Sequence, residues 1–259
     1  MEYNSEIYKL TYLVSIKDRI YHNVYGKRGV CKIRGMKIFM AVLMIAIVAY
    51  IAVHFGRNIG ASAKTVNGAK VIIDPGHGGG DPGKIGVNDV LEKDVNLQIA
   101  FKLKKLLEKK GVSVVMTREE DTSLGGDESG SKKVADLKSR IKMVEDEKAD
   151  IMVSIHQNSY SSEKVKGAQV FYYTNSDEGK KLSEYIQNSI KESVDKDNNR
   201  AAKANNNYYI LLHSACPAVI VECGFLSNHE EAAKLSDKDY QQDMAEAIAD
   251  GVFGYLSAE

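Results

Sequence analysis

Apolar and polar positions follow two different periods along this chain. Short apolar runs recur at intervals, among them Val71-Ile72-Ile73, Ile151-Met152-Val153 and Ala218-Val219-Ile220-Val221. They predict strands over residues 70–74, 112–117, 151–155, 168–173, 208–212 and 218–222. Between them the spacing lengthens. Val95, Leu97, Ile99, Leu103, Leu106 and Leu107 mark one helical face, which predicts a helix over 93–110 that stops at Gly111. Val134, Leu137, Ile141 and Val144 form a single stripe in a charged segment, a helix over 131–148. Further helices are expected over 176–194 and 239–256. The acidic, glycine-rich stretch 119–130 and the polar stretch 195–207 read as loops. Strands alternating with helices imply an α/β fold: a single domain with a mostly parallel twisted sheet flanked by helices on both faces. No internal repeat is visible, and no second domain follows the last helix.

A different pattern precedes this domain. Residues 38–55 are apolar except for His54, a run of 18 residues that reaches the lower limit for a transmembrane helix. Residues 1–37 carry eight Lys/Arg and three acids. This charge bias predicts a cytoplasmic N-terminal segment, with the rest of the chain across the membrane. The small-residue pattern Ala61-Ser62-Ala63 lies several residues past the apolar run, which favours an uncleaved signal-anchor over a cleaved signal peptide. Met36, directly before the run, is a candidate natural start. The expected organisation is a basic segment at 1–37, a transmembrane anchor at 38–55, a small, polar linker at 56–69 and a catalytic domain at 70–256.

Composition narrows the class. The 35 basic and 35 acidic residues cancel, which argues against a nucleic-acid binder. Cys31, Cys216 and Cys223 are too few for a disulfide scaffold. Cys216 and Cys223 flank one expected strand, and at about 3.3 Å per residue they stand beyond disulfide reach. They read as free thiols, with Cys223 facing away from its neighbour Glu222.

Candidate chemistry gathers at strand ends. His77 follows the first apolar run, His156 the third, and Glu222 ends the run 218–221. The carboxyl edge of an open α/β sheet is where sites are built. Two His and one Glu are a known ligand set for catalytic zinc, which keeps one position open for water. His77 interrupts the glycines of Gly76-His77-Gly78-Gly79, and a Pro82-Gly83 turn follows, so the loop does not read as a phosphate cradle. His156 alone would read as a structural histidine; beside His77 at a like strand end it reads as a ligand. Glu92 alone reads as a helix-start carboxylate, favourable to the dipole. Glu222, at the end of a buried strand, suggests a functional carboxylate with a raised pKa, suited to a general base. Asn158 is a candidate for orienting ligand or substrate, and His213 for a surface or substrate contact.

Four ordered segments carry a resemblance: VIIDPGHGGGDPG at 71–83, Glu92 with Lys93 and Asn96-Leu97, SIHQN at 154–158, and PAVIVECGFLSNHEE at 217–231. Over about residues 70–256 the chain resembles the zinc-dependent N-acetylmuramoyl-L-alanine amidases of the amidase_3 type. The resemblance implies His77, Glu92 and His156 as ligands of Zn2+ and Glu222 as general base. The implied reaction cleaves the amide between N-acetylmuramic acid and L-alanine of the peptidoglycan stem peptide. The short catalytic domain, the N-terminal anchor and the lack of wall-binding repeats look like the germination-specific, spore-cortex subgroup. That subgroup implies a lipoprotein activator and an extracytoplasmic catalytic domain. The region 157–216 is too short for the occluding helical insertion of some division amidases. Two alternatives stay open on residues alone: a zinc carboxypeptidase or endopeptidase acting on stem peptides, and a non-catalytic anchored wall-binding protein.

Overall fold

The computed structural model describes residues 39–44, 66, 68–125 and 132–258. The chain divides into two units, Met1–Ser62 and Ala63–Glu259. In the first unit, residues 39–44 are helical and exposed. The rest of the expected anchor, the basic segment before it, most of the linker and Cys31 lie outside the described residues. Among the described residues no helix is long and apolar enough to cross a membrane.

The second unit runs in the order β1 (Lys70–Pro75), α1 (Glu92–Lys109), β2 (Ser113–Met116), α2 (Lys132–Glu147), β3 (Ile151–Asn158), β4 (Gln169–Tyr173), α3 (Asp177–Ser193), β5 (Lys203–Asn205), α4 (Tyr209–His213), β6 (Ala218–Phe225), α5 (His229–Ser236) and α6 (Lys238–Ala258). The strands form one sheet in the order β2-β1-β3-β6-β4-β5. Strands β1, β2, β3 and β6 run parallel, while β4 is antiparallel to β6 and parallel to β5. The sheet is therefore mostly parallel, with one direction reversal between β6 and β4.

Strand alternation sorts the side chains into two cores. Val71, Ile73, Val153, Ile155, Val219 and Val221 pack under α1, α3 and α6, against Ile99, Leu103, Ile186, Ile248 and Val252. Ile72, Met152, Phe171 and Ile220 pack on the other face, against Ile141 and Val144 of α2 and Ile210 and Leu211 of α4. Asp74, Ser154, His156 and Glu222 share the parity of this second face, so their side chains continue its line beyond the apolar part. Cys223 falls in the first core, opposite Glu222, as alternation requires. Cys216 and Cys223 are free thiols.

Three elements differ from the sequence expectation. Residues 208–212 form no strand: Tyr209–His213 is a short helix that buries the adjacent pair Ile210 and Leu211 and exposes Leu212. An apolar run of five residues is too short for its period to separate helix from strand. The expected loop 195–207 contains β5, a three-residue edge strand whose side chains are largely exposed. Such a strand is held by backbone bonds and leaves no apolar signature. Helix α5 follows Asn228, whose side-chain oxygen accepts the Glu231 amide at 2.9 Å. This is a helix N-cap that the apolar pattern alone did not reveal.

Helices α3 and α6 approach closely at Gly251, where a β-carbon would stand 2.5 Å from the Ile186 Cα and 2.8 Å from its backbone nitrogen. Backbone cannot yield as a side-chain tip can. Gly251→Ala is expected to destabilise the domain by about 1–3 kcal/mol through overpacking. Urea unfolding checks this: a midpoint equal to wild type would show that the two helices have slack at this crossing.

Candidate metal centre

The loop after β1 presents His77, and its backbone is held from behind. Pro75, Gly76 and His77 turn their carbonyls into the domain. Arg140 donates to Pro75 O at 2.9 Å and to His77 O at 2.8 Å. Arg118 donates to Pro75 O and Gly76 O at 3.0 and 3.1 Å, and Asn96 to Gly76 O at 3.1 Å. Arg140 in turn pairs with Asp74 and with Asp136, each at 2.6 Å. Burial alone would raise the Asp74 pKa, but Arg140 and the hydroxyls of Ser154 and Thr117 hold it below the ordinary value. Burial alone would lower the Arg140 pKa, but Asp74 and Asp136 hold it above its ordinary value. His77 itself has φ 62°, a left-handed conformation uncommon outside glycine. The fixed carbonyls on either side keep it there.

His77, Glu92 and His156 come together, with one ligand atom from each within 4.8 Å of the others. His77 Nε2 lies 3.2 Å from Glu92 Oε1, and His156 Nδ1 lies 3.0 Å from the same oxygen. Ligand atoms about 2 Å from one tetrahedral ion stand roughly 3.3 Å apart. The two separations and the donor types therefore fit a zinc-sized cation. His77 Nδ1 is 2.9 Å from Asp81 Oδ2, which leaves Nε2 as the nitrogen free to ligate. Glu92 is anchored by backbone amides: Lys84 N donates to Oε2 at 2.8 Å and Gln157 N to Oε1 at 3.0 Å. Burial pushes Glu92 up, yet hydrogen bonds from His156 and His77 hold it well below the ordinary carboxylate range. Burial likewise disfavours a charged His77, but Glu92 and Asp81 raise its pKa. The His156 ring lies against Gly76, where any β-carbon would overlap it. That close approach requires glycine.

Glu222 is the register partner of His156 and projects beside it. It is 6% exposed, and burial pushes its carboxyl up to about 7. Its Oε2 is buried with no hydrogen-bond partner among the described residues. A cleft of about 1020 Å³ brings these groups to one surface: His77, Glu92, His156 and Glu222 line it, with Asp81 and Tyr208. All four residues singled out in the sequence thus meet at one site. Asn158 is not among the lining residues; its side-chain oxygen accepts the Ser159 amide at 2.7 Å. His213 is exposed, stacked on Tyr209 with ring centroids 4.2 Å apart. Sequence reasoning missed Asp81, although a carboxylate four residues after a candidate ligand was a signal. It also missed Tyr208, Arg118 and Arg140, which no local pattern marks.

Comparison with known proteins follows this geometry. Residues 71–253 match the family described as Amidase_3, N-acetylmuramoyl-L-alanine amidase. The chain is 36% identical over 195 residues to the germination-specific N-acetylmuramoyl-L-alanine amidase of Bacillus subtilis (strain 168), covering 74% of this chain and 81% of that protein. Among solved structures it resembles the CwlD amidase of Clostridioides difficile in complex with the GerS lipoprotein, at 41% identity and a TM-score of 0.71. That match covers 74% of this chain and all of the other. The N-acetylmuramoyl-L-alanine amidase of Clostridium difficile 630 is similar at 36% identity and a TM-score of 0.66, covering 74% of this chain and 99% of that one. The match spans the whole sheet and the loops that bear His77, Glu92, His156 and Glu222, and on it the chain belongs to the Amidase_3 family of N-acetylmuramoyl-L-alanine amidases.

Proposed function

We propose that this protein is a peptidoglycan hydrolase that cleaves the amide between N-acetylmuramic acid and the L-alanine of the stem peptide. One observation carries the reading: in a chain of this family, two imidazoles and a carboxylate converge beside a buried glutamate in an open cleft. His77, Glu92 and His156 are the residues that would hold a zinc ion. Zinc bound there supplies an acidified water and polarises the scissile carbonyl. Glu222 accepts a proton from the attacking water as its oxygen bonds to the carbonyl carbon. It returns that proton to the nitrogen as the C–N bond breaks, and the second water proton passes from the new carboxyl group to the amine, which leaves a lactyl carboxylate and an L-alanyl ammonium. A carboxyl with a pKa near 7 is matched to both halves of this transfer. Asp81 fixes the His77 ring with Nε2 turned toward Glu92, the orientation in which it would ligate.

The similarity to a germination-specific amidase supports a role in spore-cortex peptidoglycan. The similar amidase seen with the GerS lipoprotein supports a lipoprotein partner for this chain as well. The apolar run at 38–55 and the basic segment before it support membrane anchoring, with the catalytic unit outside the cytoplasm.

Glu222→Gln is expected to lower turnover roughly 10²–10⁴-fold while one zinc per chain is retained. Digestion of muropeptides with parallel metal analysis tests this, and full activity in the variant would end the assignment of the base. Product analysis decides the bond: release of intact stem peptide with an L-alanine N-terminus identifies an amidase, whereas shortened stem peptides identify a peptidase. Asp81→Ala is expected to weaken zinc affinity about 10–100-fold through loss of the carboxylate behind His77. Competition with a chromogenic chelator measures it, and an unchanged affinity would remove Asp81 from the site.

A further inference from the structure

Glu222 sits in β6 between His156 of β3 and Gln169 of β4, its two register partners. Ile220, two residues earlier on the same face, belongs to the core beneath it. Tyr208, the residue before α4, lines the cleft with Glu222. Its ring meets Phe171 edge-on, with centroids 5.6 Å apart at 80°. Phe171 is the register partner of Ile220, so the tyrosine ring lies over the strands that carry Glu222. Its amide donates to Asn205 Oδ1 at 2.9 Å, and its carbonyl accepts from Leu212 N at 3.1 Å. The ring and backbone are thus fixed, and the hydroxyl lies within interaction range of the Glu222 carboxyl. Tyr208 and Glu222 line the same cleft.

We propose that Tyr208 is a positioning residue for Glu222, its hydroxyl donating a hydrogen bond that keeps the carboxylate turned into the cleft. This inference rests on the reading of Glu222 as the base. The terminal torsion of a glutamate is soft, and Oε2 of Glu222 is buried with no hydrogen-bond partner among the described residues to fix it. A proton shuttle has to hold one orientation through two transfers. Burial and the Glu222 charge push the Tyr208 phenol up to about 12. The phenol therefore stays protonated and orients the carboxylate without competing for the proton in transit.

The test compares Tyr208→Phe with wild type in the zinc-loaded full chain on a soluble muropeptide. Phenylalanine keeps the ring and its contact with Phe171 and removes only the hydroxyl. The kcat is expected to fall about 10- to 100-fold, the range for a lost hydrogen bond to a charged group. KM, zinc content and the urea midpoint are expected to match wild type. An unchanged kcat overturns the proposal and leaves the role of Glu222 standing. A lower midpoint or lost zinc alongside the lost rate makes Tyr208 merely structural and overturns it too. In the Glu222→Gln background, Tyr208→Phe is expected to leave the residual rate unaltered, because the two act as a unit. Multiplied losses would mean that the tyrosine acts without the glutamate, against the proposal. Full activity of Glu222→Gln alone would remove the base, and the proposal with it.

Discussion

The site depends on one buried ion pair. Asp74 and Arg140, 1% and 2% exposed, meet at 2.6 Å beneath the carboxyl edge of the sheet. A buried pair is weak evidence for stability, because desolvation offsets much of the attraction. Its effect here is directional. With Asp74 and Asp136 pairing the guanidinium, its two terminal nitrogens also reach the carbonyls of Pro75 and His77. Arg118 and Asn96 take the carbonyl between them. A glycine-rich loop that would otherwise sample many conformations is fixed at three consecutive residues. That fixation holds His77 in its left-handed backbone conformation.

From there the geometry propagates by pleat and register. Asp74, Ser154 and Glu222 occupy the same face of three neighbouring strands, and His156 pairs directly with Glu222. The imidazole from β3 and the carboxylate from β6 are therefore adjacent by construction. Glu92 arrives from a helix, and its oxygens are tied to the Lys84 amide of the preceding loop and the Gln157 amide of β3. The donor set is assembled by strand ends, one helix start and backbone amides. Long flexible side chains contribute little, so the constellation loses little freedom when it binds an ion.

Much of this was legible in the chain. Apolar runs placed five of the six strands, and helical stripes placed the four long helices. His77, His156 and Glu222 were marked by their place at strand ends, and Glu92 by the resemblance alone. What stayed hidden shares a physical cause. Strand β5 pairs through backbone, helix α4 is too short to show a period, and helix α5 is announced by a cap rather than a stripe. Arg118, Arg140 and Tyr208 meet their partners across segments distant in sequence. Spacing carries no trace of such contacts. An arginine on a charged helix looks like a solvated residue until the fold turns it inward.

The sheet's direction has a practical side. The chain enters β1 at Lys70, and the chemistry begins just past Pro75. A strand of this length spans about 20 Å. Residues before position 70 are therefore joined to the edge of the domain remote from the cleft. A tag, a solid support or a fused carrier attached through that end leaves the mouth open to a polymer as bulky as the cell wall.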